Sequence, residues 1–116
     1  MIRLLCAFLT MIFVILSYSS ENLASYKSNV QKLVEKKAKE VSDCKKKNES
    51  KAKKIKGRMT LLWVIDENGK ASSFSRGPDT IDNSEFYHCI EKAISAWKFP
   101  RPPFDQSVDI EHEFIF

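Results

Sequence analysis

Glycine is scarce in this chain, with three residues in 116. They stand apart at Gly57, Gly69 and Gly77, so no glycine-rich loop exists to cradle a phosphate. Histidine is scarcer, with His88 and His112 alone, and neither a Cys-x-x-Cys nor a His-x-x-x-His spacing occurs. That removes the usual zinc frameworks, and no metal or other cofactor is expected. Three of the four prolines are gathered in Pro100–Pro103, which leaves no proline-rich spacer. The aromatic residues do not interleave with the basic ones, so a nucleic-acid-binding face is not expected either. Cys89 follows His88, but a nucleophilic cysteine needs a base and a third group to orient it. Spacing supplies neither, and Cys89 falls on an apolar stripe. No catalytic motif is found, and the chain reads as a non-enzyme.

Long hydrophobic runs are also few. The longest, Leu4–Leu16, is broken only by Thr10 and follows the single positive charge of Arg3. About 13 to 15 apolar residues suit the core of a secretory signal and are short for a membrane span. Ser17 and Ser19 are small residues at −3 and −1 of a cut before Ser20. Residues 1–19 are therefore read as a signal peptide or an N-terminal anchor, residues 20–25 as a polar lead-in, and residues 26–116 as one domain. Both versions export the chain, to the periplasm or beyond. Cys6 then lies within the targeting segment. Cys44 and Cys89 remain, a pair with one possible connectivity in an oxidising compartment.

Charge is split along the chain. Lys27–Arg58 holds 13 basic and 4 acidic residues, and Met59–Phe116 holds 5 basic and 10 acidic. Tyr26, Val30, Leu33, Val34, Ala38, Val41 and Cys44 recur three or four apart, which predicts an amphipathic helix. Lys45, Lys46, Lys47, Lys51, Lys53, Lys54 and Lys56 form a basic patch that continues it, as a solvated helical extension or a flexible basic loop, with partial helix the favoured reading. The patch can seek anionic lipid or polymer, or simply keep a face solvated.

Met59–Ile65 is a β-rich run with Met59, Leu61, Trp63 and Ile65 on one face. Asp66–Gly69 reads as a hairpin turn, with Asn68-Gly69 supplying positive φ. Lys70–Arg76 reads as a returning strand, exposed or at an edge. Asp82 and Glu85 have capping-box spacing, with Ile81 and Phe86 as a staple. Phe86, Cys89, Ile90, Ala93, Ile94 and Trp97 then form the apolar stripe of a second helix, which Pro100 ends. Ser107–Phe116 alternates strictly, as a half-buried antiparallel strand does. His112 falls on its apolar face, as a partly buried histidine with a hydrogen-bond partner. The expected fold is α+β, in the order α-β-β-α-β. It has a three-stranded antiparallel sheet with two helices on one face.

The chain thus has a helix ending in Cys44, Gly57-Arg58 leading into a strand, and the turn Ile65-Asp66-Glu67-Asn68-Gly69-Lys70. A Phe86-x-x-Cys89 helix, Trp97-Lys98-Phe99-Pro100-x-Pro102 and a closing strand ending in Phe follow. In this order the features resemble the AgmX/PglI C-terminal domain family, a TonB C-terminal-like module first associated with gliding motility. The resemblance covers about residues 26–116. It implies binding of another envelope protein by strand addition. The implied partner-binding residues are Val108, Asp109, Ile110, Glu111, His112, Glu113 and Phe114, with Glu111 and Glu113 able to select a basic partner. The competing class is a basic, surface-active protein acting through its lysines.

Overall fold

A computed structural model describes residues 22–116. The stretch read from sequence as a targeting segment, with Cys6 and Leu4–Leu16, lies outside these residues. Among the described residues no helix is long and apolar enough to cross a membrane.

Helix α1 covers residues 22–36 and helix α2 Ala38–Asn48. The expected single helix is interrupted at Lys37, whose N–H is shared between the Leu33 and Val34 carbonyls. Tyr26, Val30, Val34, Val41 and Cys44 are buried along this pair, but Ala38, just after the interruption, is exposed. Residues 22–25 are helical rather than a separate lead-in. The lysine-rich stretch is partial helix. Lys45–Lys47 occupy the last turn of α2, where cations meet the carbonyl end of the helix dipole. Residues 49–57 then run irregularly, pinned by Ile55, which is buried and donates its N–H to the Glu49 carboxylate.

Strand β1 (Arg58–Ile65) forms the centre of the sheet, between β2 (Ala71–Arg76) and β3 (Val108–Ile115). Both pairings are antiparallel. Met59, Leu61, Trp63 and Ile65 are buried on the face that meets the helices. The β1–β2 turn differs from the expected one in that only Gly69 takes positive φ, at 85°. Gly69 N–H closes on the Asp66 carbonyl, while the Asp66 carboxylate accepts from Asn68 and Lys70 N–H. A side chain at Gly69 is excluded, because its Cβ would lie 2.2 Å from the Phe99 carbonyl oxygen.

Helix α3 (Ser84–Ala96) is capped by Asn83, one residue later than the expected Asp82. The Asn83 side chain accepts from Phe86 N–H and donates to the Asn48 carbonyl at the end of α2. One amide thereby serves both an orphan donor and an orphan acceptor. Tyr87, which the stripe omitted, is fully buried and donates its hydroxyl to Asp79. Burial and the Asp79 carboxylate both push that phenol's pKa upward. Trp97 ends the helix, buried, with its indole N–H donated to Glu40 of α2.

Cys44 and Cys89 form a disulfide between α2 and α3, with 5.7 Å between Cα atoms. On the apolar stripe, Cys89 is only partly buried. A short 3-10 turn, Pro103–Asp105, places Phe104 and Asp105 at positive φ.

Candidate functional site

The two outer strands of the sheet present different edges. On β2 the register slips between Leu62 and Val64 of β1, so that Ser73 and Phe74 face Trp63 alone. Ser73 adopts a φ of 56° at this bulge. A bulge of this kind twists and interrupts the row of free backbone groups. On β3 the register with β1 holds without a slip from Val108 to Ile115.

That register fixes which β3 amides are free. Gly57 and Phe116 exchange both backbone hydrogen bonds. Antiparallel pairs alternate, so Val108, Ile110, His112 and Phe114 likewise spend their N–H and C=O groups on β1. Asp109, Glu111, Glu113 and Ile115 direct theirs to the outer edge. Their side chains are exposed, while Val108, Ile110 and Phe114 are buried toward the helices. The seven residues implied by the family resemblance therefore divide into two sets. Asp109, Glu111 and Glu113 offer a backbone edge and acidic side chains; Val108, Ile110, His112 and Phe114 anchor the strand.

A groove runs between this edge and α1–α2. One part, about 440 Å³, lies between Val34–Lys45 and His112–Phe116. A narrower part, from Asp109 to His112, faces Lys27, Val30 and Gln31. The third part, walled by Leu23, Lys27 and the Pro103–Phe104 turn, adjoins Gln106–Asp109. Val34 and His112 border the first two parts, and Lys27 and Asp109 the second and third. The three concavities together follow β3 along its length.

His112 is a titratable group in the wall. It is half-buried, its ring edge-on to Phe114 at 4.5 Å. Desolvation lowers its pKa below the ordinary imidazole value, opposed by Glu35 of α1 and by Glu113. Among the described residues no hydrogen-bond partner meets its ring, where one was expected, so aromatic packing holds it instead. Tyr26 of α1 donates to the Pro100 carbonyl at 2.9 Å, and burial raises its pKa to about 12.

The basic patch lies elsewhere. Lys46, Lys47, Lys51, Lys53, Lys54 and Lys56 are exposed at the far end of α2 and in the loop after it; Lys45 is partly buried and borders the groove. Among the described residues no three His, Cys, Asp or Glu side chains gather as metal ligands. The Cys89 sulfur is committed to the disulfide, and His112 lies on a separate element.

Sequence reasoning located β3 but not the groove. The depth of the groove depends on where α1–α2 passes the strand, and no local pattern encodes that. Comparison with family models, curated proteins and solved structures finds no match for this chain.

Proposed function

We propose that this is an exported, non-enzymatic adaptor of the cell envelope, related to the AgmX/PglI and TonB C-terminal-like modules. It binds another envelope protein by adding one of that protein's extended segments to β3. The observation that carries the reading is the unbroken outer edge of β3, beside a groove along its whole length. Main-chain hydrogen bonds at Asp109, Glu111, Glu113 and Ile115 supply affinity, and the three acids favour a basic segment. The Cys44–Cys89 bond supports a periplasmic or secreted location, because such bonds persist in oxidising compartments.

Glu111→Pro tests this reading. The Glu111 N–H points away from β1, so proline there leaves the β1–β3 ladder intact and removes a donor from the free edge. A photo-crosslinker at Glu113 should capture an envelope partner in the parent chain and lose it with Glu111→Pro at unchanged melting temperature. Undiminished crosslinking would refute edge pairing.

A second reading rests on the exposed lysines at the end of α2 and in the following loop, as a contact for anionic lipid or polymer. Salt separates the two. Lysine-mediated contact fades by about 0.15 M ionic strength, whereas strand addition survives it.

A further inference from the structure

Among the described residues three large apolar side chains are exposed: Leu23, Phe104 and Ile115. Two of them, Leu23 and Phe104, share one concavity, and it is the part of the groove that adjoins the start of β3. Phe104 is 62% exposed on a backbone with φ of 62°. That left-handed conformation is strained for a non-glycine residue. The turn is tied down on its N-terminal side, where Tyr26 of α1 holds the Pro100 carbonyl. An aromatic ring is thereby presented to solvent beside the end of a free strand edge.

From this we propose that Leu23 and Phe104 form an end pocket for the added segment, one that takes a bulky apolar side chain. The proposal rests on the strand-addition reading and specifies the partner. A segment paired with β3 places alternate side chains on the sheet's outer face, beside Asp109, Glu111 and Glu113. Those positions are basic. The side chains between them turn under α1–α2 toward Ile110, His112 and Phe114, and are apolar. Past Asp109 the segment reaches Leu23 and Phe104, where its terminal apolar residue docks. The occupant is therefore an extended segment of about eight to ten residues, alternately basic and apolar, with a large apolar residue at one end. A second copy of β3 does not fit. Antiparallel self-pairing centred on Glu111 would set that acid against itself and Asp109 against Glu113.

The test uses the full chain and synthetic peptides of alternating lysine and valine, blocked at both ends. They are made with a phenylalanine at the amino end, at the carboxyl end, or at neither, and binding is read by fluorescence anisotropy. One phenylalanine peptide should bind about tenfold more tightly than the peptide without it, the gain expected from burying one aromatic ring. Phe104→Asn, which tolerates positive φ, and Leu23→Gln should each shrink that advantage, read as the ratio of the two peptides' affinities within one variant. An advantage that persists in both variants overturns the end pocket and leaves strand addition standing. Failure of every peptide to bind removes both. Phe104-dependent binding to vesicles of phosphatidylcholine and phosphatidylglycerol, with no phenylalanine advantage among the peptides, would assign the pair to a membrane surface and overturn the proposal.

Discussion

Asn83 shows how one side chain can join elements that local sequence treats separately. Asp82 and Glu85 have the capping-box spacing, yet the cap is Asn83, because its amide also reaches the Asn48 carbonyl at the end of α2. A carboxylate cannot donate that second bond. Asn83→Ala should cost about 1–2 kcal/mol, as both contacts are lost. Asn83→Asp keeps the cap and should recover most of it. Urea unfolding of the two variants checks the order; equal losses would mean that the bond to α2 carries most of the effect. Tyr87 was illegible for a related reason. A tyrosine beside a helical stripe reads as a boundary residue until a partner such as Asp79 is brought near by the fold.

The element that leans most on its covalent link is α2. Val41 and Cys44 are its only buried residues, and besides the disulfide it is joined to α3 and its flanking residues by the Trp97–Glu40 and Asn83–Asn48 hydrogen bonds. Closing the loop between residues 45 positions apart is worth about 4 kcal/mol by chain entropy. A Cys44→Ser, Cys89→Ser double variant should lose stability of that order in urea unfolding. Its amide hydrogen exchange should rise most in α2, because β1 and α3 keep their burial. Uniform acceleration across the sheet would show instead that the bond supports the whole core. The strands and α3 were readable from sequence since alternation and helical spacing are local. The interruption at Lys37 was not, as no glycine or proline marks it. Nor was the bulge at Ser73, which reflects how β2 meets its neighbour.

For the molecule as a whole, stability should depend on pH through His112. Its folded pKa lies below the ordinary imidazole value because burial disfavours the cation. The unfolded state therefore binds more protons over that interval. The contribution is fully present above about pH 6.5 and is lost as pH falls through the folded pKa. Urea midpoints measured between pH 7.5 and 5 should fall toward acid, and His112→Gln should flatten the slope. An unchanged slope would place the titrating group elsewhere. The α+β architecture and the order of its elements along the chain were legible because each apolar face declares itself within one element. The groove was not, since it is a distance between elements, and Phe104 hid within a proline-rich stop.

The α1–α2 pair carries the chain from Leu23 at one end of the groove to the lysines beyond the other. At about 1.5 Å per residue, residues 22 and 48 lie roughly 40 Å apart along the helical path. The start of α1 and the lysines at the end of α2 are thereby kept at separate poles. The groove lies lengthwise between them, like a slot along the side of a strut.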